Sequence, residues 1–211
     1  ASTTIGDFIQ KSLAFWFVTD STAGDRALAV KHRYNSVFGL QLGSINDLTA
    51  RHNFSISQGV WNVPTFTPTP GTRYHFAMAY DGSDILNDAQ VYINAVNQGA
   101  TEAISPLGVI SADATLPLLI GENNLGGNDV DGRYVCLVYA NENWDAAAVN
   151  RAMWWGRPHG GLAVYHPFWA DKLANEGTAI AAGSATGTTV VALAVPTVRP
   201  GTAMMGSGVG W

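Results

Sequence analysis

Tyr74-His75-Phe76-Ala77-Met78-Ala79-Tyr80, closed at once by Asp81-Gly82, is the stretch that decides the fold class. It is a short apolar and aromatic run that ends on turn residues, and it reads as a β-strand. Just beyond it, Ala89-Gln90-Val91-Tyr92-Ile93-Asn94 alternates cleanly and reads as its partner. Upstream, Ser12-Leu13-Ala14-Phe15-Trp16-Phe17-Val18-Thr19 puts Leu13, Phe15 and Phe17 on one side and Ala14, Trp16 and Val18 on the other. A strand that is apolar on both sides belongs at the centre of a packed structure. Tyr134-Val135-Cys136-Leu137-Val138-Tyr139 has the same character. Shorter candidates lie at Ala27–Lys31, Phe38–Leu42, Leu48–Ile56 and Leu116–Ile120, while Val63–Pro70, with three prolines, reads as a loop or edge segment. Strands recur about every 8–15 residues with turn residues between them, which predicts an all-β, antiparallel sandwich or barrel. The predicted core includes Phe15, Phe17, Phe76, Met78, Tyr92, Val135, Leu137 and Val138. One helix interrupts the strands. Asn143 is placed to cap it, residues 144–154 form it, Gly156 closes it and Pro158 prevents its continuation.

Composition narrows the function classes. The 211 residues carry 13% charged side chains and a net charge of −5. The charged share is about half of the ~25% usual for soluble domains. An acidic balance disfavours a nucleic-acid partner. The single cysteine, Cys136, excludes an intrachain disulfide and a cysteine-cluster metal site, and its apolar flanks predict a buried, inert thiol. No apolar run approaches the ~20 residues that cross a bilayer as a helix. The start, Ala1-Ser2-Thr3-Thr4, has no basic and apolar signal pattern, so no uncleaved signal peptide is expected. From Gly177 to Trp211 only Arg199 is charged. Such a stretch has few groups to keep it solvated, and it reads as a flexible tail or as an arm covered by another subunit.

The order of the pieces resembles a known family. Arg73–Gly82 followed by Gln90–Asn94, then Ile120-Gly121-Glu122, then Asp131–Tyr139 with the helix behind it, is similar to the laminin-G-like, or concanavalin A-like, jelly-roll domain. Leu13–Val18 is similar to that family's first strand, so the resemblance covers about residues 10–155. It implies a sandwich over residues 1–157. Residues 158–211 add an edge strand, around Leu162–Phe168, and an extended low-charge segment with a strand candidate at Thr188–Val195. One departure stands out: the family's hairpin glycine is Ala95 here. The Asn-Gly turn, which needs positive φ, is therefore expected to give way to a longer turn through Val96-Asn97-Gln98-Gly99.

Candidate chemistry is sparse. Glycosidases of this architecture carry carboxylates at alternate strand positions, which lie on one face where they serve as nucleophile and acid. No such pattern occurs, and no nucleophile elbow, phosphate loop or dinucleotide fingerprint occurs either, so an enzyme is not expected. Asn123, Asn128, Asp129 and Asp131 supply hard oxygens of the kind calcium takes, against a plain turn capped by its own side chains. Asp81, Ser83, Asp84 and Asp88 form a second such group. No other cofactor is implied. Among Trp61, Trp154, Trp155, Trp169 and Trp211, Trp61 is the expected sugar-stacking face, against simple packing.

The family resemblance, the missing carboxylates and the low charge predict a non-enzymatic structural virion protein, a phage capsid decoration protein assembled in the host cytoplasm. Its partners would be capsid subunits or further copies of itself, met through Val191, Val195, Met204, Met205 and Trp211. The alternative is a carbohydrate-binding, lectin-like module on a virion fibre or a bacterial surface. Neither reading involves nucleic acid or a membrane.

Overall fold

The computed structural model describes residues 8–20, 26–31, 38–43, 47–63, 65–113, 116, 118–121, 132–155 and 162–166. Among these described residues, twelve strands and one helix run in the order β1 (Gln10–Thr19), β2 (Arg26–Lys31), β3 (Phe38–Leu42), β4 (Leu48–His52), β5 (Gly59–Val63), β6 (Arg73–Asp81), β7 (Gln90–Ile93), β8 (Val96–Asn97), β9 (Thr101–Ile104), β10 (Leu118–Ile120), β11 (Gly132–Ala140), α1 (Ala146–Trp155) and β12 (Leu162–His166). They form two six-stranded antiparallel sheets. Sheet A has the order β12-β11-β1-β6-β7-β8 and sheet B the order β10-β2-β3-β4-β5-β9. The predicted all-β sandwich with one short helix is therefore the observed architecture. In sheet A, β12 pairs with β11 at the end of the strand order, with His166 opposite Leu137.

The main core lies between the sheets. Leu13, Phe15 and Phe17 from β1 and Phe76, Met78 and Tyr80 from β6 meet Phe38, Leu40, Leu48, Ala50, Trp61 and Val63 from sheet B. Phe15 and Phe76 lie with ring centroids 5.8 Å apart, and Phe17 and Tyr134 with centroids 4.9 Å apart. Each fully buried apolar side chain of this size stabilises the fold by about 1.5–3 kcal/mol. Sheet A also buries its other face. Ala14, Ala77, Ala79, Tyr92, Val138 and Ala140 pack under Trp144, Ala148, Val149 and Ala152. The two-sided apolar reading of β1 thus has a physical cause, which is a second cover supplied by α1. Of the predicted core, Phe15, Phe17, Phe76, Met78 and Leu137 are buried between the sheets and Tyr92 and Val138 beneath the helix. The Val135 side chain lies outside the described set.

Several local expectations are corrected. Asp145, not Asn143, caps the helix: its carboxylate accepts the Ala148 N–H at 2.7 Å, and its carbonyl accepts the Val149 N–H at 3.0 Å. Asp145 satisfies an otherwise orphan donor and sits at the favourable end of the helix dipole. The hairpin after β7 does not lengthen. Asn94 and Ala95 both adopt left-handed backbone, with φ of 51° and 63°, and Ile93 pairs with Val96 across them. This is the two-residue, type I′ turn normally given to Asn-Gly. It survives alanine because Asn94 is anchored to β6: its side chain accepts the His75 N–H at 2.9 Å and its own N–H donates to the His75 carbonyl at 2.8 Å.

Two further differences are non-local. Residues 59–63, which the sequence reading assigns to no strand, form β5 between β4 and β9. In β11, Ala14 pairs with Val138 but Trp16 pairs with Val135, so Phe15 faces both Cys136 and Leu137. Cys136 is the bulged residue, with φ of 53°. The bulge reverses the strand's phase, which lets Tyr134 as well as Leu137 and Tyr139 reach the main core. Cys136 itself is half-buried rather than fully buried.

Candidate functional site

Trp61 is not a surface platform. It is 0% exposed, its indole N–H donates to Asp88 at 2.8 Å, and its ring lies 5.4 Å from Tyr80. It lies on the inner face of β5, and Gly59 on the same face leaves room for it, since a Cβ there would run into the indole. No face remains for a sugar.

The exposed aromatic is Trp154, at 70% exposure near the end of α1. The buried face of that helix is Trp144, Ala148, Val149 and Ala152. Its exposed face carries Asn150 and Arg151 four and three residues before Trp154. Residues at those offsets are neighbours on a helix surface, and side chains lean toward the helix N-terminus, so the indole reaches over both. The last turn is held from below. Trp16 of β1 donates its indole N–H to the Met153 carbonyl at 3.2 Å, which satisfies a carbonyl the helix end leaves open. Trp16 in turn lies edge-on to His75 at 5.2 Å. Burial pushes the His75 imidazole down to about 3, so it stays neutral and Trp16 rests on an uncharged floor. At the other end of the helix, the Ser12 hydroxyl accepts the Trp144 N–H at 3.1 Å and donates to the Glu142 carbonyl at 2.7 Å. The result is a flat apolar face beside an amide and a guanidinium, on a helix fastened at both ends. The sequence carried a signal for it, since Asn150, Arg151 and Trp154 share one helix face at 3.6-residue spacing.

The acidic loop after β6 is occupied by its own backbone. Asp81 accepts the Ser83 N–H at 3.0 Å, Asp84 accepts the Leu86 N–H at 2.9 Å, and Asp88 holds Trp61. The hydrogen bonds from the Ser83 backbone and side chain hold Asp81 below the usual carboxylate range. Among the described residues no group of three or more histidine, cysteine, aspartate or glutamate side chains is arranged to hold a metal. Burial, with the charges of Asp81, Asp84 and Asp88, pushes the Tyr80 phenol up to about 12.

A polar cluster closes one end of the sandwich interior. Lys11 donates to Asp113 at 2.8 Å with both side chains fully buried, and it lies 5.7 Å over the Phe38 ring. His52, beside Phe38 and Tyr80, is pushed down to about 3 by burial and by the Lys11 charge. This arrangement ties β1 to the segment after β9 and is structural. The predicted calcium ligands Asn123, Asn128, Asp129 and Asp131 and the predicted partner contacts Val191, Val195, Met204, Met205 and Trp211 lie outside the described residues.

No family model matches the sequence, and no curated protein matches it. Solved structures do. A candidate carbohydrate-binding protein from Bacteroides ovatus superposes with a TM-score of 0.62 at 14% identity, over 82% of this chain and 51% of that one. The chain therefore spans about half the length of that neighbour. The heptameric SAP-like pentraxin of Limulus polyphemus superposes with a TM-score of 0.52 at 18% identity, over 71% of each chain. A sialidase from Trypanosoma rangeli aligns with a TM-score of 0.48 over 22% of its length, too little to carry an argument. At these identities the likeness establishes the concanavalin A-like jelly-roll fold.

Proposed function

We propose that this chain is a non-catalytic carbohydrate-binding module whose sugar contact is the exposed face of α1 formed by Asn150, Arg151 and Trp154. The observation that carries the reading is Trp154, which keeps 70% of its surface in water on a helix whose opposite face is buried against sheet A. A pyranose ring has an apolar C–H face and a rim of hydroxyls. The indole supplies the matching face, and the amide and guanidinium supply donors to the rim. The fold neighbour described as a candidate carbohydrate binder supports the reading. The test is a glycan array with the full chain, followed by calorimetric titration of the best glycan. Trp154→Ala should weaken binding at least tenfold, about 1.4 kcal/mol, with little change in melting temperature. Equal affinity in the variant would place the sugar elsewhere.

A second reading is a structural protein that is covered by neighbours in an assembly, such as a capsid decoration protein in a virion. It is favoured by the 13% charge and by the apolar tip of Ile56, Leu107 and Val109, exposed where Ser57 bridges to Leu107. A fixed copy number in a purified particle would support it. A bacterial surface is the location that goes with the sugar-binding reading, and the virion goes with either.

A further inference from the structure

The helix that carries Trp154 holds a single charged residue, and it is positive. Ala146, Ala147, Asn150, Arg151 and Trp154 are its exposed residues, and Arg151 is the one with a charge. The positions that a helix places beside Arg151 are Ala147 and Ala148 on one side and Trp154 and Trp155 on the other, so none is a carboxylate. Asp145 lies six residues back, about 9 Å along the axis, and its carboxylate already accepts the Ala148 N–H. The layer beneath the helix is Ala14, Ala77, Ala79, Tyr92, Val138 and Ala140, which brings no charge either. The ion pairs among the described residues join Lys11 to Asp113 and Arg133 to Asp20.

The charge balance of the sequence points the same way. Between Asp145 and Asp171 there is no aspartate or glutamate, while Arg151, Arg157, His159 and His166 fall in that stretch. The rest of the chain holds nine lysines and arginines against sixteen acids, a net charge of −7. The helix end does not cancel the local positive charge. Open carbonyls make a helix C-terminus partly negative, but here the Met153 carbonyl accepts the Trp16 indole N–H. Arg151 therefore keeps its planar fork of donors for a ligand.

Resting on the sugar-binding reading above, we propose that the ligand of this face is an acidic sugar, a hexuronate. Its carboxylate pairs with the Arg151 guanidinium and its ring lies on the Trp154 indole. A guanidinium fork matches the two oxygens of a carboxylate, and such charge-assisted bonds are about twice as strong as neutral ones. Residues three apart on a helix have Cβ atoms about 5–6 Å apart. One pyranose can thus cover the indole while the carboxylate attached to its ring reaches the guanidinium. Asn150 is left to bond a ring hydroxyl. The net charge of −5 repels polyanions in general, so an acidic glycan is held by this local site and not by the field of the whole chain.

Calorimetric titration of the full-length chain tests this. The probes are oligogalacturonate, oligoglucuronate and oligomannuronate, each beside its neutral, carboxyl-reduced counterpart. At least one acidic sugar should bind tenfold tighter than its neutral counterpart. Arg151→Gln should remove that difference, and Arg151→Lys, which keeps the charge without the fork, should retain part of it. Trp154→Ala should weaken the acidic and the neutral form alike. Equal binding of both forms, still dependent on Trp154, would overturn the acidic ligand and leave the sugar reading standing. A preference for the acidic form that survives Arg151→Gln would overturn the proposal, because the carboxylate would then lie elsewhere. Binding of none of the six probes would overturn it too, while the glycan array decides the sugar reading separately.

Discussion

The outer faces of the two sheets carry different residues under comparable burial. Sheet A presents Ala14, Ala77, Ala79 and Ala140, small enough for a helix to sit close, and Trp144 and Val149 fill the space above them. Sheet B presents Val30, Arg51, Val60, Gln41, Thr49 and Asn62, a mixture that would ordinarily face water, yet most of it is buried. The difference is instructive about covers. An apolar face under a helix is stabilised by area removed from water, about 25 cal/mol per Å². A mixed face under a cover must also satisfy each polar group, because an unmade buried hydrogen bond costs about 1–3 kcal/mol.

The largest test of this contrast removes the keystone of the helical cover. Trp144→Ala should cost about 3–5 kcal/mol in urea-melt stability, since it empties the space over the alanine face. A loss below about 1 kcal/mol would mean that α1 rests on sheet A without packing into it. Next, a charge on the other sheet asks whether its burial is real. Val30→Asp places a carboxylate at a fully buried position without a partner and should cost about 3 kcal/mol or more, whereas on an open face it would be nearly neutral.

Acid should act on both regions at once. His52 lies between the sheets and His75 under the sheet A cover, and each has its pKa lowered from 6.5 to about 3. Their neutral forms are the native ones, so the unfolded chain binds more protons between those values. The stability they contribute is complete above pH 6.5 and declines as pH falls from 6.5 toward 3. The slope should approach about 1.4 kcal/mol per pH unit per histidine. Urea midpoints measured from pH 7 to 4 should fall. His75→Phe should flatten the curve by its share, and an unchanged slope would mean that His75 is solvated. The smallest effect has the opposite sign. Left-handed backbone costs alanine about 1–2 kcal/mol, and glycine gives back part of that gain as chain entropy. Ala95→Gly should therefore stabilise by about 0.5–1 kcal/mol, a rise of about 2–4 °C per kcal/mol for a chain of this size. A lower melting temperature would show that the turn is not of the I′ type.

Much of the candidate site was within reach of the sequence, and part of it was misplaced for a definite reason. The helix was visible from Asn143 to Gly156, and with it the shared face of Asn150, Arg151 and Trp154. Trp61 was assigned to the surface because Gly59-Val60-Trp61-Asn62-Val63 is too short and too mixed to display a strand period. Only pairing with Leu48–His52 and with Thr101–Ile104 makes it one. Once it is a strand, period two turns Trp61 inward.

By itself, the sequence determined which segments are strands that are apolar on both sides, their spacing, the single helix and the sandwich they build. Alternation and helical period are local properties, written in residues that lie two to four positions apart. The tertiary structure alone decided which faces are buried. The bulge at Cys136 that lets Tyr134 reach the core and the anchoring of Asn94 to His75 that holds Ala95 left-handed both depend on partners in other strands. Periodicity reports which side chains share a face. What lies over that face is set by contacts between distant segments, and those contacts leave no period in the sequence.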